Sequence, residues 1–174
     1  MSSEAWFAVL VLLTAATRLV ELRVATRHFR WAVSLGGVEH GRGHYPAMVA
    51  MHTALLAGCL IEVLVVGRPF VSVLGWTALA FVAGAHGLRW WCITSLGKRW
   101  TTRVVVLAGA PLVVRGPYRW LRHPNYVAVA LEGLALPLVH TAWVTAVGFT
   151  VANAVLLLRF RIPTEERALA EASG

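Results

Sequence analysis

The sequence predicts an all-α integral membrane protein with about five transmembrane helices, and three observations support this class. Of the 174 residues, 58% are hydrophobic and only 14% are charged, whereas a soluble domain averages about 45–50% apolar and about 25% charged residues. The mean hydropathy is +0.68. Long uncharged stretches alternate with short Arg-rich segments. An apolar excess of this size is typical of a chain that lies in lipid.

The uncharged stretches define the spans, because a helix needs about 20 residues to cross about 30 Å of hydrocarbon. They cover residues 5–17, 43–61, 69–88 and 124–158, the last interrupted only by Glu132. That last stretch has 35 residues, enough for two crossings joined by a tight turn at residues 136–141. The first stretch has 13 residues. We therefore expect a shorter first helix, which needs Arg18 or Glu21 near its end.

The distribution of basic residues predicts the orientation in the membrane. Fifteen of the 16 Lys and Arg residues lie in segments 18–42, 89–122 and 159–167, and only Arg68 lies elsewhere. With five spans these three segments fall on one side, which the positive-inside rule makes cytoplasmic. We expect a single domain over residues 1–174 in the cell inner membrane, with the N-terminus outside, the C-terminus inside and any site on the cytoplasmic side. No basic residue precedes the first span, so a cleaved signal peptide is not expected.

Composition also limits the partners. The net charge is +8, but nucleic-acid binding needs a solvated basic face, and these Arg residues lie between apolar runs where anionic lipid headgroups are nearer. Membrane lipid is therefore expected as a partner, and nucleic acid is not. Cys59 and Cys92 form no ligand spacing, so no metal site is expected. The sequence does not indicate an oligomeric state.

The segment over residues 101–114 is apolar but too short to cross a membrane, and it contains Gly109 and Pro111. We expect a β-rich or irregular strip at the membrane interface. Directly after it comes GPYRWLRHPNY, residues 116–126. Arg and aromatic residues here are consistent with simple interfacial anchoring. However, Pro124 suits the first position of a helix, whose free N–H groups and dipole can hold a carboxylate or phosphate.

A second cluster, RFRIPTEERAL, follows the last span at residues 159–169 and predicts a short C-terminal helix. Two Glu residues in the first turn of a helix are favoured by its dipole, and Arg161 with Glu165 is a possible i,i+4 pair. A carboxylate at the cytoplasmic end of the last span is also suited to hold ribose hydroxyls or a cationic ligand. Near the other end of the second span, Glu62 and Arg68 are expected to form a structural pair.

Taken together, GPYRWLRHPNY, a hairpin of apolar helices and RIPTEERAL resemble the isoprenylcysteine carboxyl methyltransferase and phospholipid methyltransferase superfamily of integral membrane enzymes. The resemblance covers about residues 103–169. GRGHYP at residues 41–46 also resembles a short bacterial subgroup, sometimes found beside polyketide synthases, that methylates phenolic or pyrone lipids. The resemblance implies S-adenosylmethionine as cofactor, S-adenosylhomocysteine as product and O-methylation of a lipophilic acceptor. The alternative within the class is a prenylcysteine-like carboxylate.

The resemblance also implies roles for individual residues. The donor is held in the family by a backbone strip, a tyrosine, the HPxY tetrad and an acidic pair. This chain has Ala110 and Pro111 where several relatives have a polar His-Thr pair, so contact there is limited to backbone or apolar atoms. Arg161 is placed against the acceptor. The matching cofactor-binding positions are Leu112, Val113, Tyr118, His123, Pro124, Asn125, Tyr126, Glu165 and Glu166.

Glu132 is the one acid in the 35-residue stretch, and an ionised carboxylate at membrane depth costs at least about 2.5 kcal/mol unless it is paired or protonated. It lies seven residues after Asn125, on nearly the same helix face and about 10 Å deeper, so we expect it to face the same cavity. One hypothesis makes Glu132 a general base that contacts a hydroxyl-bearing acceptor. The other makes it a structural Glu tied to an Arg or His of a neighbouring span.

Two histidine hypotheses complete the prediction. His44 lies among the cytoplasmic residues, where it either lines the entrance for the acceptor or anchors the loop. His52 and His86 lie within spans and are expected to be packing residues. A different class of function, a non-enzymatic haem-binding or transport subunit of the membrane, would use these two histidines.

Overall fold

The computed structural model describes residues 2–173, and most of them are helical. Six helices and two short strands follow one another along the chain. The helices are α1 (Ser3–Ser34), α2 (Tyr45–Leu64), α3 (Ser72–Leu96), α4 (Pro124–Leu138), α5 (Trp143–Leu156) and α6 (Ile162–Ser173); the strands are β1 (Val38–His40) and β2 (Val104–Val106).

Helices α1 to α5 run up and down between two ends of a bundle. At one end, the far end, the Thr141 hydroxyl donates to the Pro69 carbonyl at 2.6 Å, and the rings of Phe7 and Phe70 lie 5.4 and 5.8 Å from that of His140. At the other end, the basic end, β1 and β2 pair in an antiparallel sheet. The segments after α1 and α3 therefore meet at one end of the molecule, where Ala168 of α6 also packs against Val104 and Val106.

Among the described residues, three helical segments are long and apolar enough to cross a membrane: Ser3–Ser34, Arg42–Leu64 and Trp143–Ala172. The expectation of a shorter first span is wrong, because α1 has 32 residues and continues through Arg18 and Glu21. Both charges have partners inside the bundle: Arg18 pairs with Glu132, and Glu21 pairs with Arg89. The chain is thus a mostly helical membrane protein.

The predicted turn, and the predicted β-rich or irregular character of the strip over residues 101–114, are confirmed. Helix α4 ends at Leu138 and α5 begins at Trp143, and between them Thr141 adopts a left-handed conformation with φ of 53°. The strip forms β2 and then irregular backbone up to residue 115. Strand β1 was not predicted. It pairs with β2 in the one sheet of the described residues, whose register places Glu39 opposite Val105.

A buried ion network joins three helices at mid-height. Arg18 of α1 donates to Glu21 of the same helix and, at 2.5 Å, to Glu132 of α4. Arg89 of α3 donates to Glu21 through Nε at 2.8 Å. The formal charges of the two guanidinium groups and the two carboxylates sum to zero. Charges are tolerated in a low-dielectric interior when they are paired in this way.

The predicted pair of Glu62 and Arg68 is also confirmed, with Arg68 Nε 2.9 Å from Glu62 Oε1. Glu62 has a second task that the sequence did not indicate. Its carboxylate accepts from the N–H groups of Val144 and Thr145, at 3.2 and 2.8 Å, in the first turn of α5. A carboxylate at a helix N-terminus satisfies otherwise unpaired donors and complements the dipole, so α2 caps α5 at the far end.

Candidate active site

A cavity of about 640 Å³ opens at the basic end, between the irregular strip, β2 and α6. One wall is apolar and consists of residues 110–114. The opposite wall carries the polar residues of both sequence clusters. These are Tyr118, Arg122, His123, Glu165 and Glu166.

A smaller recess of about 110 Å³ adjoins the cavity and shares Tyr118, His123 and Glu165 with it. The residues that line only this recess lie on four different segments, which are the loop after α3, β2, the first turn of α4 and the segment between α5 and α6. They are Trp100, Arg103, Val104, Asn125, Tyr126 and Arg161. We call this space the recess and the larger one the cavity.

Tyr118 is positioned by the turn Gly116–Arg119, a short 3-10 helix. Gly116 has φ of 57°, and a Cβ there would collide with the Ser95 hydroxyl of α3. Arg115 Nε donates to the Ser95 carbonyl at 2.8 Å, so the turn is held against the end of α3. Burial raises the pKa of the Tyr118 phenol well above its usual range, and Cys92 raises it further. The phenol is therefore a neutral donor.

Helix α4 begins at Pro124, as predicted. The expectation that the following N–H groups are all free is wrong for Tyr126, whose N–H donates to the His123 carbonyl at 3.0 Å. This tight first turn stacks the rings of His123 and Tyr126, with centroids 5.5 Å apart and planes at 19°. The two aromatic rings thus form one surface beside the cavity.

The acidic pair reaches this surface through an irregularity in the last long helix. Residues Leu157–Arg161 form a π-helical turn between α5 and α6. Pro163 lies two residues after this turn, and because proline has no N–H to donate and its ring collides with the carbonyl four residues earlier, regular helix is disfavoured here. Such π turns are frequent at functional sites.

The π turn brings both clusters into contact. The Tyr126 hydroxyl donates to Glu165 Oε2 at 2.5 Å, and His123 Nε2 lies 3.4 Å from Glu166 Oε1. Arg161 donates through Nη2 to the Thr102 carbonyl at 3.0 Å. Arg161 and Glu165 do not form the possible i,i+4 pair, because Arg161 bonds to the loop after α3 and Glu165 bonds to the first turn of α4.

Comparison with known proteins identifies the family of this arrangement. The model of the isoprenylcysteine carboxyl methyltransferase (ICMT) family matches residues 77–171, more than half of the chain. The chain belongs to the ICMT family. It is also 37% identical over 168 residues to the uncharacterized protein YpbQ of Bacillus subtilis (strain 168). The alignment covers 96% of this chain and 98% of the relative. Membership implies a membrane methyltransferase, and the matched region contains the whole polar wall of the cavity.

The structure separates the residues predicted for the cofactor into three groups. Leu112, Val113, Tyr118, His123, Glu165 and Glu166 line the cavity. Asn125 and Tyr126 line the recess. Pro124 is buried at the start of α4. It does not belong to the described lining of the cavity or of the recess.

The residues predicted for the acceptor lie apart from one another. Arg161 lines the recess. His44 packs with its ring 6.4 Å from that of Phe160, and Glu132 lines a separate space of about 20 Å³ with Arg18, His52 and Arg89. In the described part of the ICMT-family chain, Glu132 therefore does not line the recess that Asn125 lines, contrary to the expectation from helix periodicity.

Arg99 and Trp100 are among the site residues that sequence reasoning missed. Arg99 donates to the Pro111 carbonyl at 2.6 Å and so holds the strip over the cavity. Trp100 lines the recess and is 2% exposed. Both follow α3 in a Lys-Arg-Trp run, which is indistinguishable by sequence from an ordinary membrane-interface anchor.

Gly116 and Gly109 offer a matched pair for testing the position of Tyr118. Both have positive φ, but only Gly116 has neighbours within reach of a Cβ. We expect Gly116→Ala to lower the free energy of unfolding by at least about 2 kcal/mol, from backbone strain plus collision with Ser95. Gly109→Ala should cost only about 1 kcal/mol. Equal losses in thermal unfolding of the detergent-solubilised protein would contradict this assignment.

Proposed function

We propose that this protein transfers the methyl group of S-adenosylmethionine to a lipophilic acceptor at the cytoplasmic membrane face, by O-methylation of a phenolic or pyrone lipid hydroxyl. One observation carries the proposal. Tyr126 and Glu165, 39 positions apart, are hydrogen bonded at the wall of the recess in an ICMT-family chain. Both belong to the motifs for which the family resemblance implies donor binding.

The residues present fit this cofactor. The volume of about 640 Å³ lies within the range of about 300–1,000 Å³ for small-molecule sites. Glu165 and Glu166 are suited to the ammonium group and the ribose hydroxyls, and Arg122 is suited to the carboxylate. The apolar residues 110–114 suit the adenine ring. Asn125 Oδ1 is buried without a partner, so it is available to a hydroxyl or ammonium donor.

When bound, S-adenosylmethionine supplies an electrophilic methyl group, and the protein's part is to position the reactants and exclude water. Glu165 fixes the Tyr126 hydroxyl, and the stacked His123 ring limits the motion of Tyr126. The strip held by Arg99 covers the cavity. Tyr118 contributes a neutral hydroxyl and an aromatic face, which attracts a cation such as a sulfonium group.

The five-span arrangement is part of the proposal. Helices α3 and α4 run between the same two ends as the three longer segments, so we propose that both also cross the hydrocarbon region. Fifteen basic residues then lie at or towards the cytoplasmic side, and the N-terminus lies outside. Between Ser3 and Val20 of α1 the exposed side chains, such as Leu12 and Leu13, are apolar and suited to contact lipid.

Two features bear on the identity of the acceptor. Arg161 lines the recess, and an arginine pairs well with a carboxylate, which supports the alternative of a prenylcysteine-like acceptor. For a hydroxyl acceptor, the base hypothesis for Glu132 competes with a structural role. The ion pair of Glu132 with Arg18 supports the structural role.

The alternative of a haem-binding or transport subunit receives less support. His52 Nδ1 contacts the Met48 carbonyl at 2.8 Å, and His86 Nδ1 contacts the Val82 carbonyl at 3.2 Å. These are the bonds of packing histidines within their own helices. Membership of a methyltransferase family favours group transfer over electron or solute transport.

Binding of S-adenosylhomocysteine tests the proposal, because a ligand that binds only the folded state raises its stability. We expect the wild-type protein to gain about 3 kcal/mol at a ligand concentration of about 100 times Kd. Glu165→Gln should lose most of this gain, because it removes a charged partner and weakens the bond to Tyr126. Glu171→Gln, on the exposed side of the same helix, is the matched control. No stabilisation of the wild type at saturating ligand would contradict the methyltransferase proposal.

Cysteine labelling tests the orientation. Cys59 and Cys92 are fully buried, so single cysteines introduced at Val66 and Ala170 can be read separately. In intact spheroplasts, a membrane-impermeant maleimide should label Val66→Cys at the far end. It should label Ala170→Cys in α6 only after permeabilisation. The reverse pattern would contradict the proposed topology without affecting the cavity.

A further inference from the structure

The recess contains two hydrogen-bond donors without partners. Trp100 Nε1 and Arg161 Nε are both buried and unbonded, and both residues line the recess. Each of these groups can only donate. A buried N–H without an acceptor is costly and rare in folded proteins. The pair therefore points to an oxygen acceptor that the bound ligand supplies.

Trp100 is held rigidly for such a role. Its ring packs against Ala25 of α1 and Ile93 of α3, and its carbonyl lies 2.8 Å from His28 Nδ1. Arg161 is tied to the same loop, because its Nη2 donates to the carbonyl of Thr102, two residues after Trp100. Both donors thus belong to side chains that are anchored at one loop.

The charges around the recess favour an anion. Its described lining includes four guanidinium groups but one carboxylate, that of Glu165, together with His123; the arginines are Arg99, Arg103, Arg122 and Arg161. Arg103 is paired with Glu39, which lies outside the recess. Glu165 accepts from the Tyr126 hydroxyl. In the proposed function Glu165 serves the methyl donor, and Glu132 lies outside the recess, so no described carboxylate of the recess is assigned to the acceptor.

We infer that Trp100 is a second donor, beside Arg161, for an acceptor oxygen that enters the recess already ionised. This inference rests on the proposed function. It restricts the acceptor to oxygen acids such as phenols, enols or carboxylates and excludes alkyl alcohols. The transfer then balances without a protein base: the acceptor proton is released to solvent on binding, the oxyanion forms the new C–O bond, and the C–S bond breaks with its electron pair left on sulfur.

A chromogenic acceptor tests this inference without turnover. A nitrophenol that carries a long alkyl chain absorbs visible light only as the phenolate, so its ionisation can be read when it is bound. Its binding is measured in detergent at saturating S-adenosylhomocysteine, beside that of its methyl ether, which cannot ionise. Trp100→Phe removes the indole N–H, and Trp76→Phe, an exposed tryptophan at the far end, is the control.

We expect the wild type to bind the phenolate and to lower the apparent pKa of the bound probe. Trp100→Phe should raise the Kd of the phenolate at least about tenfold, as for loss of a hydrogen bond to a charged group, and leave the Kd of the methyl ether unchanged. Trp76→Phe should behave as the wild type. An unchanged phenolate Kd in Trp100→Phe, or binding of the neutral phenol by the wild type, would overturn the inference.

Two further arms separate the possible causes of failure. If Trp100 instead holds the carboxylate of the methyl donor, Trp100→Phe raises the Kd of S-adenosylhomocysteine and leaves the Kd of the phenolate unchanged. That result also overturns the inference. If the wild type binds no S-adenosylhomocysteine, the proposed function itself fails. On the wild-type protein with nitrogen-15 tryptophan, one indole N–H resonance should move downfield with the phenolate but not with the methyl ether; no such movement would overturn the role of Trp100 independently of any variant.

Discussion

The buried network of Arg18, Glu21, Arg89 and Glu132 is the interaction on which the rest of the structure depends. An unpaired charge at membrane depth costs at least about 2.5 kcal/mol, so four charges inside an apolar bundle must find one another. Because they lie on α1, α3 and α4, their pairing sets the relative height of these three helices. Apolar packing alone tolerates sliding of one helix along another, whereas an ion pair between helices does not.

The network also sets the position of the site above it. Arg89 lies one turn below Cys92, whose thiol contacts the Tyr118 side chain. Glu132 lies two turns below Asn125, about 10 Å deeper at 1.5 Å per residue. The heights at which α3 ends and α4 begins are thereby fixed, and with them two walls of the cavity and recess. In this arrangement the network supports the site from below, while the polar groups that line the cavity and recess come from the loops, the first turn of α4 and α6.

Local sequence patterns predicted the features that depend on local chemistry. Pro124 marks a helix start because proline lacks an N–H, and the Glu62 pair with Arg68 spans only six positions. The partners of Glu132 were not predicted, because the sequence periodicity of α4 does not indicate which face of α1 packs against it. The π turn at Leu157–Arg161 displaced the helix register, so an i,i+4 argument failed for Arg161 and Glu165. Trp100 was missed because its role depends on a loop conformation that the sequence does not encode locally.

Glu132→Gln separates support of the bundle from direct participation in the reaction. The variant leaves Arg18 with a neutral partner in a buried network, so the free energy of unfolding should fall by about 3 kcal/mol. The rate of methyl transfer per folded molecule should stay within about threefold of the wild type, because general-base catalysis contributes about 100-fold or more where it operates. The result should be the same for a long-chain phenol and for a carboxylate acceptor. A loss of about 100-fold or more with the phenol alone, at unchanged stability, would contradict the account.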